Sequence, residues 1–302
     1  MVSGSELVRL RNAMLMGSDL EPGFDWQPPQ VPAGFLAETG PKDPHFVALA
    51  DRLRLADKAD DWERAVAIAR HLLGNNPTVG GALKSNLNDT YRGIVVDGAG
   101  YCADFVRVFN AMAIAADIPV RSWAFSFDGF GGHGHVFPEI WNRQQKRWQL
   151  LDVFDNYYFV DATEEPLSAM QFRQALVNRS PSLALRLIEP TARPGYEIEA
   201  KAWDYFRRGA PEWYLWWGSN VFSYDGAALV KLLSPVSRGL EQFGAMAHGV
   251  HPGLRVLPDP SNAAQRRAMH ALRTQLSWVA TAMALGGAGV LVLVWQGRRR
   301  PS

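Results

Sequence analysis

The sequence of 302 residues predicts an α+β fold in which a cysteine-bearing helix packs on an antiparallel sheet, with a C-terminal extension and one transmembrane helix. After Cys102, apolar residues recur at spacings of three and four, which is typical of a helix, until the Ile118-Pro119 step ends it. Residues 134–141 and 147–153 have the composition of two strands around a polar turn. Residues 277–295 form an apolar run of 19 positions, enough to cross a bilayer as a helix.

Composition and charge restrict the classes of function. The chain is 47% hydrophobic and 20% charged, which is ordinary for a folded protein with a full core. A formal net charge of +1 without a long basic run argues against nucleic acid as the main partner. The single cysteine excludes an intrachain disulfide, and no Cys/His cluster has zinc-ligand spacing, so no metal or organic cofactor is implied.

Five parts are predicted along the chain. The N-terminal arm is irregular, with at most a short helix near residues 7–16, and it lacks the apolar run of a signal peptide. The parts are this arm at 1–45, a catalytic core at 46–160, an aromatic-rich extension packed on the core at 161–270, the transmembrane helix at 277–295 and a basic tail at 296–302.

Shorter patterns predict individual elements. Asp60 and Glu63 match a capping box at the start of a helix, and residues 168–177 indicate another helix. Residues 120–127 alternate as a strand, whereas residues 78–99 predict a loop.

Cys102 is the candidate nucleophile because it falls in the first turn of its helix. Unpaired backbone N–H groups and the positive end of the helix dipole converge there, which favours a thiolate. The alternative is a small buried apolar side chain, the commoner role of a lone cysteine.

His135 and Asp152 fall on the two strands of the predicted hairpin. If the loop has an even number of residues, the position numbers of two residues that face each other across the hairpin add up to an odd number. The numbers 135 and 152 do so, and both side chains are therefore expected on the same face of the hairpin. His133 is a rival for the base. Asp155 and Asn156 are rivals to Asp152, although their ordinary role is to form turns. A cysteine, a histidine and a carboxylate so placed are the nucleophile, base and orienting acid of a thiol hydrolase or acyltransferase.

These residues resemble the transglutaminase-like superfamily, a branch of the papain-like cysteine enzymes, over residues 60–160. Four motifs in order carry the resemblance: Gly100-Tyr101-Cys102, Asp117-Ile118-Pro119-Val120-Arg121, Gly134-His135 with Glu139 and Trp141, and Trp148 followed by Asp152. The resemblance implies Cys102 as nucleophile, His135 as general base and Asp152 as the residue that orients it. A peptide, protein or glycan-linked amide would be the substrate, attacked through an acyl-thioester; water or an amine could accept the acyl group.

Two positions depart from the family pattern. Asp117 stands where the family often has glycine, and Pro138 lies inside the histidine strand, where it removes a ladder N–H and predicts an edge or a bulge. Glu139 shares the His135 face by strict alternation and is expected to be a solvated or ion-paired strand residue.

The aromatic residues between 203 and 217 have two interpretations, a platform that binds sugar or lipid and a core cluster that packs the extension onto the core. The functional alternative to an enzyme is a catalytically inactive, membrane-tethered binding or scaffolding protein, possibly glycan-related through these aromatic residues.

Trp278 and Trp295 stand at the two ends of the apolar run like interfacial anchors. Three arginines on each side leave the positive-inside count tied, so the orientation stays open. A single-pass protein with its catalytic domain in the cytoplasm is the simplest expectation, although it would translocate the three closing arginines.

Overall fold

A computed structural model describes residues 4–17, 23–28, 30–74, 81–83 and 86–298. Its helices are α1 (Gly4–Leu15), α2 (Pro44–Arg52), α3 (Asp61–Leu73), α4 (Leu87–Val95), α5 (Cys102–Ala115), α6 (Ala169–Val177), α7 (Glu199–Gly209), α8 (Val221–Gly226), α9 (Ala228–Leu233), α10 (Arg238–Ala247) and α11 (Ala263–Arg298). Its strands are β1 (Val120–Ser126), β2 (Gly134–Asn142), β3 (Arg147–Leu150), β4 (Tyr157–Val160), β5 (Ala184–Leu187), β6 (Trp213–Trp217) and β7 (Gly253–Val256).

The central feature is a five-stranded antiparallel sheet in the order β3-β2-β1-β6-β7. Strands β4 and β5 pair separately as a two-stranded sheet. The predicted mixture of helices and an antiparallel sheet is therefore confirmed. Strands β6 and β7 come from residues 161–270, so this region adds two strands to the sheet that carries the histidine.

The cysteine helix α5 lies where the apolar spacing predicts it. Phe105, Phe109 and Met112 are fully buried with Ile140 of β2 in one core cluster. At its C-terminal end Asp117 adopts a left-handed backbone with φ 58°, the conformation that favours glycine. The aspartate therefore occupies, at some strain, the position where the family often has glycine.

The histidine hairpin is confirmed. Its register pairs Glu139 with Leu150, and the four-residue loop gives the odd sum assumed above. The expected edge or bulge at Pro138 is wrong, because β2 lies between β1 and β3 with an unbroken register. The carbonyl of Pro138 accepts from Leu151, just beyond the end of β3, and N and O of one residue point the same way in an antiparallel strand. The side of Pro138 that lacks an N–H therefore faces the end of β3, where the ladder of hydrogen bonds between β2 and β3 stops.

Local signals had mixed outcomes. Asp60 caps α3 by accepting from the N–H of Glu63 at 2.9 Å, and Ser168 caps α6 by accepting from the N–H of Gln171. The predicted loop at 78–99 is wrong over its second half, where α4 forms behind the N-cap Asn86. Residues 78–80, 84 and 85 of that prediction lie outside the described residues.

The aromatic extension is mostly core. Phe206, Trp213 and Trp217 are at most 1% exposed and belong to a second cluster with Phe125 and Phe137. Their packing supports the core interpretation of these rings; Trp216, which is only partly buried, faces a cleft described below.

Glu139 is ion-paired but not solvated. Its Oε2 accepts from Arg121 Nε at 2.5 Å and from the indole of Trp123 at 2.7 Å, while its Oε1 accepts from the N–H of Ala169 at 2.7 Å. The guanidinium of Arg121 lies over the ring of Trp148, 3.9 Å from its centroid. Both charges are buried, and both are hydrogen-bonded.

The C-terminal helix α11 starts within the fold and then leaves it. Met269 is fully buried beside Ala13 and Met16, whereas Trp278 and Met283 are more than 70% exposed. Among the residues that the structure describes, no helix is both long and apolar enough to cross a membrane. Part of the predicted span falls outside the described side chains, namely residues 284, 288 and 290–295.

We expect Glu139→Gln to lower the free energy of unfolding by about 3–5 kcal/mol, because it leaves the Arg121 guanidinium buried without its counterion. Urea unfolding measures the loss. Asp57→Asn is the matched control: it removes a carboxylate from a pair with Arg54 whose side chains are 79% and 58% exposed, and should change stability by less than about 1 kcal/mol. Equal losses in the two variants would contradict the role given to the buried pair.

Candidate active site

Cys102 is the first residue of α5 and is partly buried. The loop before it is fixed by Asp104, whose Oδ2 accepts from the backbone N–H of Tyr101 at 2.9 Å and of Leu83 at 3.1 Å. Gly100 has φ 117°, a conformation that L side chains rarely adopt. The glycine of the motif is therefore required by the backbone turn that delivers the cysteine to the helix.

His135 is the second residue of β2 and is 4% exposed. A Cβ on the preceding Gly134 would lie 1.8 Å from the carbonyl oxygen of Phe125, so only glycine lets β2 pair this closely with β1 here. The imidazole is surrounded by rings, including Phe125 and Tyr205 at centroid distances of 5.8 Å each.

Asp152 binds one nitrogen of that imidazole. Its Oδ2 lies 2.6 Å from His135 Nε2, and both groups are buried. Two backbone hydrogen bonds with Tyr157 hold the aspartate in place. Because Nε2 is engaged, Nδ1 is the ring nitrogen left to serve a thiol.

Cys102 and His135 line one cleft of about 490 Å³. Phe154 connects their surroundings, with its ring 5.4 Å from that of Phe105 in the helix and 6.3 Å from the imidazole. The structure thus brings two of the three predicted residues to one cavity and pairs the third with the histidine. Their catalytic roles stay predictions.

Asp155 is a second carboxylate at the histidine, which the sequence analysis assigned to a turn. Its Oδ2 lies 3.7 Å from His135 Nε2, and its N–H donates to Asp152 Oδ1 at 3.1 Å. Burial and the neighbouring Asp152 raise its pKa to about 7. The spacing of three residues between the two aspartates, which suits a tight turn, was the only signal available.

The charge of the imidazole is set by these neighbours. Burial alone lowers the pKa of His135, but the carboxylates of Asp152 and Asp155 outweigh it and raise the pKa well above its ordinary value. The imidazole therefore holds its proton more strongly than an ordinary histidine does, and both acidic groups lie on its Nε2 side. The same three side chains have ligand atoms within 4.8 Å of one another, so they are also the residues that could hold a cation; the expectation of no metal stays a prediction.

The other two rival residues, His133 and Asn156, do not contact the imidazole in the described structure. His133 is exposed in the glycine-rich loop and is absent from the described lining of the cleft. Asn156 has φ 64° and donates from its side chain to the carbonyl of Glu189 at 2.9 Å, which is the turn role expected of it.

One wall of the cleft comes from α1, which the sequence analysis treated as at most a short helix in an irregular arm. Val8 and Arg11 of this helix line the cleft together with Trp216 of β6. No local pattern could place them there, because the contact joins positions more than 80 residues from the cysteine.

A helix that opens with a cysteine, against a sheet that supplies a histidine bound to an aspartate, defines the papain-like class of thiol sites. Residues 47–153 match the family model described as the transglutaminase-like superfamily. The chain therefore contains a transglutaminase-like superfamily domain at these positions, and this superfamily generally performs cysteine-based acyl transfer or hydrolysis. A search of curated proteins gave no match.

The two raised pKa values predict how stability depends on pH. Asp155 holds its proton up to about pH 7 when folded but loses it near 4 when unfolded, so stability should fall as pH rises through that interval. His135 gives a stabilising contribution that is complete below about 6.5 and is lost as pH rises through its raised folded pKa.

We expect Asp155→Asn to remove the fall between pH 4 and 7, as measured by urea unfolding at intervals of pH. The exposed Asp51→Asn is the control and should leave the wild-type profile unchanged. Parallel profiles for wild type and Asp155→Asn would show that the carboxylate does not hold its proton.

Proposed function

We propose that this protein is a membrane-anchored cysteine hydrolase or acyltransferase that acts on a peptide or carboxamide carbonyl. The observation that carries the proposal is the 2.6 Å contact between His135 Nε2 and Asp152, on a histidine that shares a cleft with the only cysteine. Asp152 orients the imidazole and stabilises its charge, which leaves Nδ1 for the thiol.

The reaction proceeds in two stages. The Cys102 thiolate attacks the carbonyl carbon, and the C–N bond breaks as the His135 imidazolium protonates the departing amine. Water or an amine then attacks the thioester, gives its proton to the imidazole, and leaves the acid or the new amide with the thiolate restored. The backbone N–H of Cys102, at the helix start, is a donor for the oxyanion.

Water as acceptor makes the enzyme a protease or amidase, and an amine makes it a transamidase. Peptides, proteins and glycan-linked amides are the proposed substrates. The alternative, an inactive scaffold with the same fold, predicts a thiol with ordinary reactivity, so thiol labelling separates the two.

Anchoring rests on the sequence of 277–295 and on the exit of α11 from the fold. Apolar side chains that leave the domain exposed, such as Trp278, Val279 and Met283, are costly in water and are satisfied by lipid. A cytoplasmic location of the catalytic domain is part of the same proposal.

The thiol can be tested directly, because one cysteine makes every labelling event specific. We expect His135→Ala to reduce turnover of glutamine or peptide-amide acyl donors by about 10²–10⁴, since it removes the proton donor and base. The alkylation rate of Cys102 by iodoacetamide near neutral pH should fall as well. Asp152→Asn should have a smaller effect on alkylation, because it acts through His135.

His133→Ala is the matched control and should leave both rates near those of wild type. The proposal fails if Cys102 of the wild type is no more reactive than a free thiol, or if the rates follow His133.

Truncation after Leu276 should release the protein from membranes while keeping the fold, because the part of α11 that packs on the fold is retained, namely buried Met269 with partly buried Leu272 and Leu276. Carbonate extraction of membrane fractions measures the release, and the apparent Tm checks the fold. Full-length protein that washes off with carbonate would overturn the anchor.

A further inference from the structure

The cleft that holds Cys102 has an unequal distribution of charge. Its described lining includes three arginines, Arg11, Arg107 and Arg238, and neither aspartate nor glutamate. A substrate in this cleft therefore meets fixed positive charge beside the thiol and the imidazole.

Two of these arginines have a carboxylate partner just behind the wall. Arg107 pairs with Asp225, and Arg238 Nη1 lies 3.2 Å from Glu241 Oε1. Their charges are largely compensated within the protein.

Arg11 is held in a different way. Its Nε and Nη2 both donate to Asn12 Oδ1, at 3.0 and 2.7 Å, and its guanidinium lies 5.5 Å from the centroid of Trp216. Neither partner carries a negative charge. Within the described part of the chain Arg11 forms no ion pair with a carboxylate, so no described acidic side chain compensates its charge.

Asn12 holds the guanidinium of Arg11 in place. It is fully buried, and its Nδ2 donates to the carbonyl of Phe130 at 2.8 Å, which fixes the amide so that only the oxygen can face Arg11. The fold thus uses a buried neutral acceptor to aim a guanidinium without neutralising it.

The nearby titratable groups do not supply the missing charge. Burial raises the pKa of Tyr214 and of Tyr224 far above neutrality, so both phenols stay uncharged. Burial and Arg11 lower the pKa of His251 to about 4, so that ring is neutral as well. Burial also lowers the pKa of Arg11, as expected of a cation removed from water without a counterion.

We propose that Arg11 is a substrate-binding residue that receives a carboxylate of the acyl substrate, so that the enzyme prefers acidic peptides or amides to neutral ones. The inference rests on the proposed function of Cys102. A guanidinium offers paired N–H donors to a planar carboxylate, and such charge-assisted bonds are strong where water is partly excluded. Because Cys102 and Arg11 line one cavity, a single ligand of suitable length can contact both.

The test uses pairs of thiol reagents of equal length, in which one member ends in a carboxylate and the other in an uncharged carboxamide. N-iodoacetyl glycine, diglycine and triglycine, each as free carboxylate and as carboxamide, alkylate Cys102 with loss of iodide and place the terminal group at increasing distance, about 3.5 Å per residue. We expect the carboxylate to react about tenfold faster than the carboxamide at one length, relative to the same ratio for a free thiol. Raising the salt concentration should reduce the preference.

Arg11→Gln should abolish the preference, and Arg11→Lys, which keeps the charge but not the fork, should retain part of it. Arg9→Gln is the matched control, since Arg9 lies on the same helix, is exposed and is not among the described lining residues of the cleft. Circular dichroism checks that each variant is folded. A carboxylate preference that is absent in wild type, or that is unchanged in Arg11→Gln, overturns the proposal.

A second measurement separates this proposal from the proposed function. In Cys102→Ser, calorimetry compares binding of N-acetyl-triglycine with that of its amide, and needs no reactive thiol. Tighter binding of the acid supports the carboxylate site even where Cys102 fails to react, provided that the difference disappears when Arg11→Gln is added to Cys102→Ser. Equal binding of acid and amide overturns the site, whatever the reactivity of the thiol.

Discussion

The buried ion pair between Arg121 and Glu139 is the constraint on which the rest of the sheet depends. The two residues face each other across β1 and β2, so a slip of one strand by one residue would put the two charges on opposite faces of the sheet. Glu139 also receives the first N–H of α6, and Arg121 Nη1 donates to the carbonyl of Phe24 at 2.6 Å. One pair thereby joins two strands, a helix and the N-terminal arm, and its desolvation makes any other register costly.

That register decides where the histidine lies. His135 stands four residues before Glu139 on β2, and alternate residues of a strand share a face, so the ion pair and the imidazole lie on the same side. Helix α5 packs against the opposite side, through Ile140. Cys102 and His135, although they belong to elements on opposite sides of the sheet, line one cleft near the point where β2 begins.

Periodic patterns predicted the elements that carry the chemistry. The helix after Cys102 and the parity of the hairpin follow from local spacing. His135 and Asp152 could therefore be assigned to one face of the hairpin from the sequence alone. Asp155 could not be distinguished from a turn residue, because its burial depends on Gly195 and on packing far along the chain. Arg11 was beyond prediction for the same reason: its environment is built by β6 and by Asn12, whose partner is Phe130.

The misassigned elements have physical causes as well. Residues 87–95 form α4 because Asn86 accepts from the N–H of Asp89 and supplies a cap, and because Leu87, Tyr91 and Ile94 recur at helical spacing and are buried. Pro138 was expected at an edge because a proline cannot donate to a ladder. Its strand is central, but the neighbouring strand β3, which would accept a hydrogen bond from the N–H of residue 138, has already ended at Leu150.

The contact between α1 and α11 has a geometric consequence. Helix α1 forms a wall of the cleft through Arg11, and it packs on α11 near Met269, only eight residues before Ser277. At about 1.5 Å per residue this separates the wall from the apolar stretch by roughly 12 Å. With that stretch inserted in a bilayer, as proposed above, this wall of the cleft lies near the lipid surface, where substrates held at the membrane can reach it.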